Sequence, residues 1–374
     1  MVERSELERH CFGSITLFLP KPVASSAFTG RAENHTHQRD KRISTRPHWT
    51  VFVLLALLMT SGCGDAPAVL DPQGPAATEI SRLSWILIGL GTLVYFGVCA
   101  LLLVALLRRR RTSHKVTDDD RRAGHNFVLW GGLIMPTVVL LVIFGLTLRT
   151  LMALSASPRP AELTIEVVGQ QWWWEVIYPD HNIVTANEIH IPVGQPVRIN
   201  LRAAGVVHSF WVPQLHGKLD MIPGRTNSFS IQADSAGDYR GLCAEFCGIQ
   251  HARMLFLVIA KPPAEFEQWL TQQQQMASPP TTASAQQGQA FFLETACAQC
   301  HAIAGTPAQG RLGPDLTHFA SRREIGAGTY ENTRSHLADW IVNSQIDKTG
   351  NLMPATTLQE SELAALLDYL ATLE

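Results

Sequence analysis

Two long stretches without a charged residue constrain this chain more than any other feature. They run from Leu83 to Leu107 and from Phe127 to Leu148, and each exceeds the roughly 20 residues that cross the apolar core of a bilayer as a helix. Buried helices of a soluble core are the alternative, but these rarely stay apolar on every face over such a length. We therefore predict transmembrane helices at residues 81–107 and 127–149.

The connecting segment, residues 108–126, sets the orientation of this hairpin. Basic loops favour the cytoplasmic side, and this loop carries Arg108, Arg109, Arg110, Arg111, Lys115, Arg121 and Arg122. Everything after Arg149 is therefore predicted to lie on the periplasmic side. The formal net charge of the chain is -2, so it offers no basic field, and nucleic acid is not expected as a partner.

The N-terminal region resembles a secretion signal. Residues 46–62 contain a short apolar run that follows basic residues and ends in small residues. The small residues before Cys63 are similar to a lipoprotein cleavage site, which predicts acylation of Cys63, although Thr60 stands where such sites usually have leucine. Cleavage without lipid and an uncleaved anchor stay open. Residues 1–45 are either disordered or the product of a start codon assigned too early.

Four of the seven cysteines form two close pairs in the predicted periplasmic region. In an oxidising compartment the simple interpretation of each pair is a disulfide. The second pair, however, lies in Cys297-Ala298-Gln299-Cys300-His301, which is the attachment motif of c-type heme. Its two thiols bind the heme covalently, and His301 is then the axial ligand of the iron.

The sixth ligand of this heme is predicted to be Met353. It is the only methionine after His301, and a thioether is the weakly donating ligand of cytochromes c that raises the heme potential. His318 and His336 are the competing candidates.

The first cysteine pair lies in a loop with other soft ligands. Between Cys243 and Met254 the chain holds two thiols, one imidazole and one thioether, a set that selects copper over magnesium or calcium. Zinc is the alternative, but it seldom uses methionine. A mononuclear blue-copper site needs only one cysteine, so a second thiolate four residues away indicates another kind of centre.

These motifs together resemble subunit II of the bacterial heme–copper cytochrome c oxidases, with a c-type cytochrome fused to the C-terminus. The resemblance implies a dinuclear copper centre, CuA, with Cys243 and Cys247 as bridges. It implies that His208 and His251 are terminal ligands, that Met254 is a weak axial ligand and that the Glu245 carbonyl is the second axial ligand. The Glu245 side chain would also bind a Mg ion at the subunit interface. Trp172 would be the residue through which electrons enter the copper centre.

The resemblance also implies a multidomain fold. We expect a cupredoxin-like Greek-key β-barrel at residues 158–265, a linker at 266–284 and an all-α class I cytochrome c domain at 285–374. Alternating segments such as 163–168 and 197–201 agree with strands. In the cytochrome domain, the Pro314 carbonyl is expected to accept the ring N–H of His301, and Gly288 and Phe292 are expected where the first and last helices cross.

The function implied is electron transfer in a multi-pass subunit of the bacterial inner membrane. Electrons from a donor cytochrome c would reach the heme c, then the copper pair, then heme in subunit I, where oxygen is reduced while protons are pumped. Subunit III and membrane lipid are further expected partners. One departure concerns the start of the second membrane helix: Phe127–Gly132 contains no carboxylate, where many relatives have a glutamate that feeds a proton channel.

Three other functions would explain part of this set of residues. A nitric oxide reductase would share the hairpin and the copper site. A quinol oxidase subunit would share the hairpin but lack the copper ligands. A secreted copper-binding protein would need exchangeable ligands and no covalent heme, which the motif at Cys297–His301 argues against.

Overall fold

The computed structural model describes residues 68–109, 117–155 and 161–374. The predicted signal at 46–62, the acylation site at Cys63 and residues 1–45 lie outside the described residues, as do Arg110 to Lys115 of the connecting loop.

Two long helical segments cover the predicted membrane spans. Helix α1 is Pro75–Arg109. The second segment begins as α2, Asp118–Val128, passes through a π-helical turn at Leu129–Ile134 and continues as α3, Met135–Ser155. Both segments have a mean hydropathy of 2.5 and their apolar windows are unburied in the protein. Lipid is the environment that satisfies such surfaces.

The second segment starts earlier than predicted, so the loop at 108–126 is helical from Asp118 onward. Thr117 caps this helix: its hydroxyl accepts the Asp120 N–H, and its own N–H donates to the Asp120 carboxylate at 2.8 Å. This capping box satisfies two of the free donors of the first turn. The π-helical turn has a local cause as well, because Pro136 has no N–H to donate one turn back.

The periplasmic barrel begins after residue 161 and consists of two five-stranded sheets. Its strands are β1 Leu163–Gln170, β2 Trp173–Tyr178, β3 Ile183–Ala186, β4 Glu188–Pro192, β5 Val197–Ala203, β6 His208–Trp211, β7 Leu219–Met221, β8 Asn227–Ile231, β9 Gly237–Cys243 and β10 Leu255–Lys261. The sheet orders are β3-β2-β1-β5-β8 and β4-β10-β9-β6-β7. The β1–β5 and β4–β10 pairs are parallel, and the other pairs within the two sheets are antiparallel.

Alternation along the strands builds the core of this barrel. In β1 and β5 almost every second residue is buried while most of the residues between them are more exposed, as the two-residue period of a strand requires. The core is rich in β-branched and aromatic residues, which favour strands. Its largest fully buried side chains include Trp174, Tyr178, Phe210 and Phe256. The fold is thus the predicted cupredoxin-like barrel.

The predicted linker at 266–284 is wrong for its first half. Helix α4, Pro263–Gln273, follows β10 directly and buries Phe266, Trp269 and Leu270 in the core of the barrel. The Trp269 ring stacks on His190, with 4.1 Å between centroids and 10° between planes. The polar residues around these three side chains hid the amphipathic pattern of a single short helix.

The C-terminal domain is helical, as predicted. Its helices are α5 Ala283–Glu294, α6 Cys297–Cys300, α7 Arg334–Asn343 and α8 Glu360–Leu370, with a short ribbon of β11 Glu324–Ile325 and β12 Tyr330–Glu331. Helices α5 and α8 cross at Gly288, where a Cβ atom would lie 2.0 Å from the Ala365 carbonyl oxygen. Phe292 meets Tyr369 edge to face beside this crossing. The expected positions of Gly288 and Phe292 are therefore observed.

Candidate metal and heme sites

Strand ends bring the candidate copper ligands together. His208 is the first residue of β6 and Cys243 is the last of β9, and these strands are neighbours in one sheet. The loop after Cys243 carries Cys247 and ends in a 3-10 turn, His251–Arg253, before Met254 and β10. The sheet therefore fixes one half of the site, and the loop folds the other half back onto it.

The donor atoms of this cluster converge. The two sulfur atoms, Cys243 Sγ and Cys247 Sγ, lie 3.8 Å apart, and each has a histidine Nδ1 at 3.8 Å: His208 for Cys243 and His251 for Cys247. The Met254 Sδ atom lies 3.8 Å from Cys247 Sγ. The Glu245 carbonyl oxygen lies 3.2 Å from Cys243 Sγ. All six donors proposed from the sequence thus meet in one place.

The two thiols are unpaired cysteines rather than a disulfide. The hydrogen bond from the Cys247 thiol lowers the pKa of Cys243 to about 3, although burial opposes this shift. Donation of that bond raises the pKa of Cys247. The pair therefore gives up its first proton readily, and a bound cation would favour loss of the second, since metals bind cysteine as the thiolate.

The surroundings of His208 fit a metal ligand. Its side chain is fully buried, and its Nε2 has no hydrogen-bond partner among the described residues. Gly169 leaves room for the ring: a Cβ atom there would lie 2.8 Å from His208 Cδ2. Soft thiolate, thioether and imidazole donors of this kind suit copper, so the residues present fit the predicted group.

The heme motif occupies one helical turn. Cys297 and Cys300 form the ends of α6 and are free of a disulfide. The next residue, His301, directs Nδ1 at the Pro314 carbonyl oxygen, 2.7 Å away, which leaves Nε2 for an iron. Burial lowers the pKa of His301, which favours the neutral imidazole. Gly313 allows this approach, since a Cβ there would lie 2.5 Å from the ring.

The two rival histidines of the sixth-ligand position have carbonyl partners of their own. His318 Nδ1 bonds to the Glu374 carbonyl at 2.7 Å, and its Nε2 lies 3.1 Å from the Gln275 carbonyl. His336 bonds to the Glu331 carbonyl at 3.0 Å. The Met353 thioether has no hydrogen-bond partner among the residues that the structure describes, and the side chain is half-buried against the core of the cytochrome domain.

Trp172 contacts both the copper-ligand loop and the cytochrome domain. Its indole Nε1 donates to the Cys247 carbonyl at 3.0 Å, and Gln171 donates to the same oxygen at 2.9 Å. On its other side the ring meets Gly350 of the cytochrome domain, where a Cβ would lie 3.7 Å from Trp172 Cη2. Trp174, in contrast, is buried among core rings such as Phe256 and lies beside His208.

Contacts between the barrel and the cytochrome domain were missed from the sequence. Arg240 of β9 forms a bidentate ion pair with Glu324, and the Leu255 N–H donates to the Ala327 carbonyl at 3.0 Å. Lys348 of the cytochrome domain, only 2% exposed, also reaches the barrel. Single polar residues at scattered positions carry no pattern, so no sequence signal marked them.

The fold and its sites define the class of membrane-anchored electron-transfer proteins. The chain combines a membrane hairpin, a cupredoxin-like barrel with a sulfur-rich donor cluster, and a helical domain with a heme motif. Residues 182–261 match the family of the cytochrome c oxidase subunit II periplasmic domain, and residues 285–374 match the cytochrome c family. The chain is 34% identical over 330 residues to cytochrome c oxidase subunit 2 of Alkalihalophilus pseudofirmus, covering 86% of this chain and 95% of that protein.

A second relative, cytochrome c oxidase subunit 2 of Bacillus subtilis, is 33% identical over 355 residues and covers 87% of this chain and 98% of its own length. Among solved structures, the periplasmic domain of subunit II of cytochrome oxidase of Bradyrhizobium japonicum is 31% identical, with a TM-score of 0.30, over 31% of this chain and 95% of that one. The chain belongs to the cytochrome c oxidase subunit 2 family, in the form with a fused cytochrome c domain.

Membership of this family establishes the coarse function. The chain is subunit II of a heme–copper terminal oxidase, a membrane protein with periplasmic domains. Its cytochrome c domain implies heme c, and its subunit II domain implies copper.

Proposed function

We propose that this chain is the electron-accepting subunit of a proton-pumping terminal oxidase, with its electron path running from the cytochrome domain to the barrel. The single observation that supports this most strongly is the position of Trp172, which touches the cytochrome domain at Gly350 and bonds to the Cys247 carbonyl. One side chain thus contacts both the loop of copper ligands and the segment of the cytochrome domain that precedes Met353.

The residues that would hold each group follow from the geometry. Cys297 and Cys300 would bind the heme covalently, with His301 and Met353 as its axial ligands. The copper pair would be held by His208, Cys243, the Glu245 carbonyl, Cys247, His251 and Met254. When bound, both groups would supply one-electron redox chemistry, and neither set of residues would leave a ligand position for oxygen.

The protein's own residues provide the surroundings that this chemistry needs. The Pro314 carbonyl holds the His301 ring in one tautomer, and the Asn351 carboxamide oxygen accepts the Met353 N–H at 2.7 Å. Such rigid supports limit reorganisation when the charge of a centre changes. Burial of His208, Cys243 and Cys247 keeps water away from the copper ligands.

The expected partners follow the direction of transfer. A donor cytochrome c would deliver the electron to the cytochrome domain, and heme in subunit I would receive it from the barrel; subunit III and lipid would surround the hairpin. The Glu245 carboxylate would bind a Mg ion at the contact with subunit I. In this chain it already faces a cation, the Lys218 ammonium at 3.7 Å, which would have to turn toward Asp220 alone.

Metal analysis of the soluble region from Ala161 onward tests this proposal. We expect a ratio of about two coppers to one covalent heme, as the paired thiolates require. Cys247→Ser should abolish the mixed-valence copper spectrum and leave the heme spectrum intact, because the two ligand sets belong to separate domains. A wild-type ratio near one copper would refute the dinuclear assignment.

The heme ligand is tested separately with Met353→Leu. We expect loss of the weak sulfur–iron charge-transfer band of the oxidised protein while the heme stays attached through Cys297 and Cys300. His336→Gln is the matched control and should keep the band, since His336 bonds to the Glu331 carbonyl. A band that survives in the Met353 variant would show that another residue holds the sixth position.

A further inference from the structure

Lys348 is a buried cation at the contact between the two periplasmic domains. Its side chain belongs to the cytochrome domain, is 2% exposed, and donates from Nζ to the Arg253 carbonyl and to the Gly326 carbonyl, both at 2.7 Å. Lysine is almost never fully buried unless it is paired. Burial, with the nearby charge of Arg253, lowers the pKa of Lys348 to about 7. The position therefore costs free energy, which the two carbonyl contacts offset in part.

The first of these acceptors belongs to the loop of copper ligands. Arg253 lies directly before Met254 and two residues after His251. Its neighbours reinforce the contact, since Gln250 Nε2 donates to the Thr349 carbonyl at 2.8 Å and the Arg253 guanidinium donates to the Asp347 carbonyl. Residues 347–350 of the cytochrome domain thus lie against residues 250–253 of the barrel.

The same segment continues to the proposed heme ligand. The Lys348 carbonyl accepts from Asn351 Nδ2 at 2.7 Å, and Asn351 Oδ1 accepts the Met353 N–H, also at 2.7 Å. The segment also presents Gly350 to the Trp172 ring. A short chain of hydrogen bonds therefore joins the backbone before Met254 to the backbone of Met353.

We propose that Lys348 is a positioning residue for electron transfer between the two centres: its ammonium ties the copper-ligand loop to the segment that leads to Met353 and keeps Gly350 on Trp172. This inference rests on the proposed function, because it concerns the transfer step between those ligand sets. The Arg240–Glu324 ion pair, which is partly exposed, holds the domains together without contacting either ligand loop.

Lys348→Met in the assembled oxidase tests this proposal, since methionine keeps the length and removes the donor. The Arg253 carbonyl then loses the Lys348 donor inside a buried contact. The Gly326 carbonyl also loses it but keeps the bond from the Thr329 hydroxyl at 2.7 Å. We expect opening of the interface to become about tenfold more frequent, equal to about 1.4 kcal/mol. Hydrogen exchange of the Leu255 amide, which bonds across the interface to Ala327, should be faster by that factor.

Stopped-flow reduction by cytochrome c measures the rate of electron transfer from heme to copper, which a purely structural role of Lys348 would leave unchanged. Reduction of the heme by the donor should keep its wild-type rate, whereas transfer from heme to copper should slow, with the copper and heme spectra unchanged. Lys348→Arg should restore part of the rate because it keeps a donor. Lys261→Met, at the far end of β10 from Leu255, should behave as wild type.

Two outcomes would overturn the proposal. One is a Lys348→Met oxidase with wild-type exchange at Leu255 and a wild-type rate from heme to copper. The other is a variant that loses its copper spectrum, because Lys348 would then support the copper site itself. Failure of the proposed function is a separate result: wild-type protein would lack copper or covalent heme, and the exchange comparison would still decide whether Lys348 fastens the two domains.

Discussion

Replacement of Trp269 tests most directly whether α4 belongs to the core of the barrel or to a linker. A linker residue at this position would contribute almost nothing to stability, whereas in α4 its ring is 8% exposed and stacks on His190. A buried tryptophan removes about 200 Å² from water, which at about 25 cal/mol per Å² amounts to about 5 kcal/mol. Extended-chain areas are upper bounds, so we expect Trp269→Ala to cost about 3–5 kcal/mol.

Urea unfolding of the soluble region, residues 161–374, measures this loss. The copper absorbance reports on the barrel and the heme absorbance reports on the cytochrome domain, so the two transitions can be followed separately in one sample. We expect the copper transition of Trp269→Ala to shift strongly to lower urea. The matched control is Gln268→Ala on the exposed face of the same helix, which should shift it little.

Comparison of the two variants separates a core helix from a linker. If Trp269→Ala moves the copper transition no further than Gln268→Ala does, α4 does not belong to the core of the barrel, and the linker prediction for residues 266–284 is restored. A shift confined to the heme transition would equally contradict the reasoning, because Trp269 packs against Tyr178 and His190 of the barrel.

Two further predictions concern the cytochrome domain and its contact with the barrel. Gly288→Ala should destabilise the heme transition by about 1–3 kcal/mol despite a gain in helix propensity, since the new Cβ would lie 2.0 Å from the Ala365 oxygen; exposed Gln287→Ala is the control, and an unchanged midpoint would contradict the helix crossing. Burial raises the pKa of Glu188, but hydrogen bonds from His190 and from the Arg323 N–H outweigh it and hold the pKa below 4.5. The contact between the Glu188 carboxylate and the Arg323 N–H should therefore be fully formed above pH 4.5 and should weaken as the pH falls through the lowered pKa of Glu188. Small-angle scattering should show expansion of residues 161–374 as the pH falls through the range in which Glu188 becomes protonated, and an equally steep expansion in Glu188→Gln would exclude Glu188 as its source.

Local sequence patterns predicted most of the fold and every type of ligand residue. The length of the two uncharged segments alone indicated the hairpin, because a helix satisfies its own backbone hydrogen bonds and can therefore cross a bilayer. The heme motif needs only adjacent residues, since both thiols and His301 lie on one turn and its continuation. The loop from Cys243 to Met254 holds most of the copper donors within twelve residues, so its composition indicated the metal.

Boundaries and pairings were harder, because they depend on weak local signals. The helix before Phe127 begins at Asp118 through a cap that Thr117 forms with Asp120, whereas charge alone suggested a loop. Helix α4 has only three buried side chains in eleven residues, so its composition resembles that of a polar linker. Such short elements are decided by what they pack against.

The sequence by itself determined which chemistry this protein can carry, because ligand type is a property of side chains and their spacing along the chain. Only the tertiary structure decided which groups compete and how the two centres meet. His318 and His336 bond to the carbonyls of Glu374 and Glu331, which disfavours them as heme ligands. Trp172 gained its position from Cys247 and Gly350, more than 70 residues away. Lys348 has no motif at all. Its role follows from burial between two domains, and burial is a property that only the folded chain possesses.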